Sequence, residues 1–158
     1  MKTITVFSDS HGMPLPNKLL SVANESDLVF FLGDGLLSLG DMPLHKGFHA
    51  VKGNCDAYCG FDDEQVIEVE NVRILLTHGD KYRVKSDLTA LSMRALELGC
   101  TLVLYGHTHF AAIDEYAGVT LVNPGPIYSA RGSSPSYAYV VVTNTKFVAK
   151  IVNLTQIS

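Results

Sequence analysis

What this 158-residue chain lacks already narrows its function. No apolar run approaches the ~20 residues of a membrane span; the longest, such as 28–32 and 137–142, have the length of strands. No basic run exists, and 12 Lys and Arg against 16 Asp and Glu leave a net charge of −4, so the electrostatic footprint of a duplex-binding protein is missing. Cysteine is scarce. Cys55, Cys59 and Cys100 are odd in number and fit neither a disulfide framework nor a zinc ribbon, which predicts no bridge and a reducing compartment. Residues 1–8 show neither the apolar core nor the small-residue cleavage site of an export signal, so the expected location is the cytoplasm. Charged residues reach only 18%, too few for a disordered segment, while 47% hydrophobic residues suffice for a core. A chain of this length is expected to form one compact domain over 1–158.

What is present is a series of short apolar runs punctuated by glycine. Strands are predicted at 3–8, 28–32 and 48–52. Hairpins pair 65–70 with 72–77 about Asn71, 111–116 with 119–122 about Ala117-Gly118, and 137–143 with 146–153. Leu88, Leu91, Ala95 and Leu98 make a helical stripe that Ser86 is expected to cap and Gly99 to close. A second helix, from Pro14 to about Glu25, sits between the first two strands and gives the strand-helix-strand start of α/β layering.

Metal-type side chains recur just beyond the carboxyl ends of predicted strands, the place where open α/β sheets bind ligands. The first strand runs into Asp9-Ser10-His11-Gly12, the second into Gly33-Asp34, and the third into Gly53-Asn54-Cys55-Asp56. Later strands end at His78-Gly79-Asp80 and at Gly106-His107-Thr108-His109. Asp9 and His11, like His107 and His109, are two apart, and extended residues so spaced point to one side. Gly12, Gly33, Gly53, Gly79 and Gly106 allow the sharp turns that would bring five loops to one point. Any one fragment alone is more often a capped turn or a surface histidine; five in series point to a metal site. His45 and His49 lie outside the pattern and read as surface residues.

In this order, Asp-x-His, Gly-Asp, Gly-Asn-x-Asp, His-Gly and Gly-His-Thr-His resemble the five motif blocks of the calcineurin-like metallophosphoesterases, spanning Asp9 to His109. The short length resembles the small bacterial and archaeal phosphodiesterase branch. The resemblance implies a four-layer αββα sandwich of two mixed β-sheets flanked by helices. It also implies a metal-dependent phosphodiesterase in which a hydroxide bridges two divalent ions roughly 3.5–4 Å apart. Asp9, His11 and His109 would hold one ion, Asn54, His78 and His107 the other, and Asp34 would bridge them. Two ligand carboxylates against two divalent ions leave a positive site suited to an anionic ester. Imidazole, carboxylate and amide donors suit Mn, Fe, Zn or Ni better than Ca, with Mn2+ the first expectation. The expected partner is a small-molecule phosphodiester, with no duplex nucleic acid and no membrane, and a homodimer or homotetramer is compatible with the hairpin edges.

The match departs from its family at two points, Cys55 and Pro126. Cys55 stands where most relatives carry the His that protonates the leaving oxygen, and a thiol is a poor substitute, so diesters with good leaving groups become the expected substrates. Asp34, Asn54, Cys55 and Asp56 are the expected catalytic set, Asp56 either bonding a metal-held imidazole or capping a turn. Asn123-Pro124-Gly125-Pro126 resembles a family turn that supports the metal loops, with Pro126 removing the usual hydroxyl. Asn54 and Arg131 are candidate contacts to the substrate phosphate. Tyr58, Phe61 and Tyr82 either stack on a ring of the substrate or pack around the pocket mouth. Other readings are a phosphomonoesterase of the same family, a non-catalytic module resembling the retromer subunit on this fold, and a chelator-resistant thiol hydrolase using Cys55 or Cys59.

Overall fold

The computed structural model describes residues 1–57, 60–128 and 133–154. Alternation along the strands decides its layering. In β1 (Lys2–Phe7), Ile4 and Val6 enter a core shared by both sheets. Phe7, pointing the other way, enters a separate core beneath α1 (Asn17–Glu25) with Leu19 and Ala23. β2 (Leu28–Phe31) pairs with β1 in parallel and β3 (Phe48–Ala50) with β2, while β9 (Ser136–Thr143) lies antiparallel to β1 and β10 (Lys146–Asn153) to β9. The first sheet therefore runs β10-β9-β1-β2-β3.

The second sheet runs β4-β5-β6-β8-β7, from β4 (Glu64–Val69), β5 (Val72–Thr77), β6 (Leu102–Leu104), β7 (Ala112–Tyr116) and β8 (Val119–Asn123). Ile74 and Leu76 of β5 face the first sheet, whereas Leu75 packs on Leu91 and Ala95 of α2 (Thr89–Leu98). The layers are thus α1, first sheet, second sheet, α2, the sandwich that the motif order implies. Fully burying an aliphatic side chain such as Leu76 contributes about 1.5–3 kcal/mol. No helix among the described residues is long and apolar enough to cross a membrane.

Several local expectations shift. α1 begins at Asn17 rather than Pro14, because Pro16 takes the cap position at φ −61°, ψ 144° and a proline also holds its predecessor out of the helical region. α2 starts at Thr89, and Ser86 does not cap it. The amide of Ser86 bonds the Arg83 carbonyl in a preceding turn, and Asp87 Oδ1 accepts the Thr89 N–H at 2.9 Å. Gly99 does close the helix in the left-handed region. β3 stops at Ala50, two residues early, as the chain turns toward Gly53. Neither His45 nor His49 is a surface residue. Both are half-buried, His45 donating to the Ser26 carbonyl at 2.9 Å and His49 standing edge-on to Phe30.

Candidate metal centre

All five loops leave strand ends along one edge of the sandwich. The first sheet delivers Asp9 and His11, Asp34, and Asn54 to Asp56; the second delivers His78, then His107 and His109. Asp9, His11, Asp34, His107 and His109 have φ between 47° and 73°. Non-glycine residues rarely adopt this left-handed region, and such strain gathers at functional sites. It also corrects the expectation from extended alternation. Asp9 and His11 reach one point through turns, and His107 and His109 separate into different donor groups.

Those groups are Asp9, His11 and His109; Asp34, His78 and His107; and His11, Asp34 and Cys55, with donor atoms in each within 4.8 Å of one another. His11 Nε2 faces His109 Nε2 at 3.3 Å, and His107 Nδ1 faces His78 Nε2 at 3.2 Å. Asp9 Oδ1 lies 3.3 Å from His109 Nε2, 3.7 Å from His11 Nε2 and 3.8 Å from His78 Nε2, while Asp34 Oδ2 lies 3.1 Å from His78 Nε2. Asp9 Oδ1 is buried without a hydrogen-bond partner. An orphaned carboxylate oxygen in the interior is costly, and imidazole nitrogens aimed at it give that oxygen a reason to be there. Donors about 2.0–2.1 Å from a shared ion stand roughly 3.0–3.4 Å from each other, which is the spacing of the closest pairs here, so these residues fit divalent ions.

Each carboxylate has one oxygen tied down and one turned to the cluster. Ser8 Oγ donates to Asp9 Oδ2 at 2.6 Å and the His107 amide to the same oxygen at 3.2 Å. The Cys55 amide donates to Asp34 Oδ1 at 2.8 Å. His78 donates from Nδ1 to the Leu32 carbonyl at 2.7 Å, which turns Nε2 to the cluster. Two glycines are required by this crowding. A Cβ at Gly53 would collide with the Asp34 carboxylate, and one at Gly106 with Ser8 Oγ and Asp9 Oδ2. Asn123, fully buried, donates from Nδ2 to the Gly106 carbonyl and to Thr108 Oγ1, and the amides of Ile127 and Tyr128 bond the carbonyls of Ser8 and Asp9.

Of the two readings of Asp56, bonding to main-chain amides is the one the structure favours. Its carboxylate accepts four main-chain N–H groups, from Asp34, Gly35 and Gly53 at 2.8 Å and from Leu36 at 3.1 Å. It therefore clamps the Gly33-Asp34 loop to the Gly53-Asn54 loop and bonds no imidazole. Asn54 and Cys55 are exposed at the cleft wall, the Asn54 amide 3.6 Å from Cys55 Sγ. Tyr82 is drawn away from the site by its hydroxyl, which donates to Glu64. Arg131, Tyr58 and Cys59 lie outside the described residues.

Burial alone would raise the Asp34 pKa, but the hydrogen bond and charge of His78, the Cys55 amide and His11 outweigh it and hold the carboxyl down to about 2. Burial also disfavours a charged His78, yet Asp34 and Asp9 raise its pKa on balance. His107 shifts down through burial and the charges of His78 and Lys85. The Cys55 thiol is pushed up by desolvation and by the Asp34 and Asp56 charges, which counts against a thiolate nucleophile. The cleft above the donors measures about 410 Å³, and Val84, Lys85 and Phe110 complete its wall. No motif marked Lys85 or Phe110 in the sequence, although Phe110 directly follows the last histidine. A larger groove of about 810 Å³ runs between α1 and the turns at 36–45, away from the donors.

Comparison with known proteins agrees with this fold. Residues 1–146 match the family model described as the calcineurin-like phosphoesterase superfamily domain. The Bacillus subtilis protein named probable metallophosphoesterase YsnB is 34% identical over 146 residues, covering 89% of this chain and 85% of its own. A crystal structure of a predicted phosphoesterase from Streptococcus pneumoniae superposes with a TM-score of 0.80 at 31% identity, covering 96% of this chain and 89% of that one. Vps29 of Entamoeba histolytica, solved in complex with Zn2+, reaches a TM-score of 0.85 at 24% identity, covering 99% and 94%, and carries a likeness of fold alone.

Proposed function

The chain belongs to the calcineurin-like phosphoesterase superfamily, and from that premise we propose that it is a phosphodiesterase using two divalent metal ions, Mn2+ first among them. Asp9, His11 and His109 would hold one ion, Asn54, His78 and His107 the other, with Asp34 between them. The observation that carries this reading is the unpartnered, buried Asp9 Oδ1 among the converging histidine nitrogens. Ions held there would polarise the phosphoryl oxygens and make a water acidic enough to attack at neutral pH.

The chain's own residues set the rest. Ser8 and the His107 amide hold Asp9 so that only Oδ1 faces the cluster, and the Leu32 carbonyl fixes the tautomer of His78. Asn54, exposed at the cleft wall, can offer its amide to an ester oxygen. Cys55, held as a neutral thiol, is a weak hydrogen-bond donor to a departing alkoxide. Without an imidazole there, diesters with good leaving groups are favoured over monoesters. Free thiols at Cys55 and Cys100 suit a reducing, cytoplasmic setting.

The test is hydrolysis of an aryl phosphodiester beside its monoester, by protein stripped with a chelator and then given Mn2+. Diesterase activity that returns with Mn2+ and is lost in Asp34→Asn and His78→Ala is the expected result. Activity that persists in the chelated protein would sink the metal reading. The Entamoeba histolytica Vps29 complexed with Zn2+ supports ion binding by this fold. Ion binding with no hydrolysis of either ester would therefore favour a scaffold. Replacing Cys55 with His should raise the monoester-to-diester ratio by about 10-fold or more, since it restores a general acid.

A further inference from the structure

The wall of the cleft facing the donors is chemically unlike its floor. Lys85 is exposed there and makes no hydrogen bond or ion pair among the described residues. Arg83, two residues earlier, is likewise exposed and without a side-chain partner among the described residues but does not line the cleft, whereas three other cations of this half of the chain are neutralised. Lys81, earlier in the same loop, pairs with Asp63 at 2.5 Å, Arg94 pairs with Glu64 and Glu97, and Arg73 with Glu68. Phe110 is 62% exposed at the rim, and its amide bonds Thr108 Oγ1 at 3.2 Å, so a closed turn presents the ring to solvent. A lysine there repels divalent ions and has no part in holding them; its complement is an anion. A ring left in water beside a site of about 410 Å³, within the usual range of small-molecule pockets, is a stacking platform.

We propose that Lys85 and Phe110 form a subsite for one arm of the diester, and that this arm carries an aromatic or heteroaromatic ring together with a second negative charge, the chemistry of a nucleotide. This rests on the phosphodiesterase reading above and narrows its substrate class. The ring lies on Phe110, and the second anionic group meets the Lys85 ammonium.

The test measures KM and kcat of the Mn2+-loaded protein on three p-nitrophenyl diesters, whose other arm is methyl, thymidine or thymidine 3′-phosphate. KM should fall along that series. Lys85→Gln should raise KM for the phosphorylated arm about 10-fold relative to the unphosphorylated one, with kcat little changed, and Lys85→Arg should restore it. Phe110→Ala should erase the difference between methyl and thymidine, and Lys46→Gln, a lysine outside the cleft, should alter nothing. Equal losses on all three substrates in Lys85→Gln, or a KM indifferent to the arm, would overturn the subsite while leaving the diesterase reading intact. Calorimetric binding of adenosine 3′,5′-bisphosphate to the same proteins tests the subsite without turnover. Should the loaded protein hydrolyse no diester yet lose bisphosphate affinity in Lys85→Gln and Phe110→Ala, the subsite would stand and the diesterase reading would fall. Unchanged bisphosphate affinity in both variants would overturn the subsite.

Discussion

Between the sheets, Ile4, Val6, Ile74, Leu76, Leu102 and Leu104 are wholly buried in one apolar cluster; at the loop edge Asp9 and His78 are just as buried, yet one carboxylate oxygen has no partner and five backbones are left-handed. Equal burial thus serves opposite ends. The interior lowers the free energy of the fold, and the edge raises it to hold donors in an arrangement the bare chain does not favour. Substitutions in the two regions should therefore separate stability from activity.

The largest effect is expected from Asp34→Asn. Hydrolysis by the Mn2+-loaded protein should fall by about 1,000-fold, the order seen when a central electrostatic group is removed, while circular dichroism and cooperative melting persist. Loss of folding in that variant would break the separation. Leu76→Ala should do the reverse, costing about 2–5 kcal/mol in denaturant unfolding with kcat near normal well below the melting temperature. Asp56→Asn crosses the divide, because one carboxylate both joins two loops and aims Asp34. Its amide group would set donors against donors, costing about 1–3 kcal/mol and weakening ion affinity about 10–100-fold in a chelator competition.

The smallest effect is a pH dependence remote from the donors. Burial, then the hydrogen bond to Glu64, pushes the Tyr82 phenol up to about 12 from 10.0. A folded pKa raised above the unfolded one favours the neutral phenol in the native state, so the contribution is whole below pH 10 and fades as pH climbs toward 12. Urea midpoints across that window should fall less steeply in Tyr82→Phe than in the parent. Identical slopes would mean that the Glu64 contact adds nothing.

Strand period and turn chemistry make most of the architecture legible in the sequence. The Ala117-Gly118 hairpin is the clearest case, both turn residues having positive φ as such a turn demands. The partition of strands into two sheets was not readable from periodicity, since β1 alternates identically whichever neighbour it takes; only the motif resemblance supplied it. The ligand-type residues were legible because metal chemistry draws on few side chains at strand ends. How they converge was not, because a left-handed aspartate leaves no mark in composition. The choice between the two readings of Asp56 was not legible for a related reason: its four amide donors belong to the main chain, which every sequence has. Lys85 escaped because an unpaired lysine becomes visible only once the partners of Lys81 and Arg94 are known.

The pairing of β1 with β9 sets a timetable for the nascent chain. Lys2 lies opposite Val142, so the strand that carries Asp9 is among the first made and is flanked on both sides only after β9 emerges. His78, His107 and His109 are synthesised in the interval, on the other sheet. A half-made chain would present Asp9, His11 and Asp34 without those histidines and would grip a divalent ion little better than ordinary surface carboxylates. Contacts of such long sequence separation form slowly, so the sheet beneath Asp9 is completed late, only after β9 has emerged.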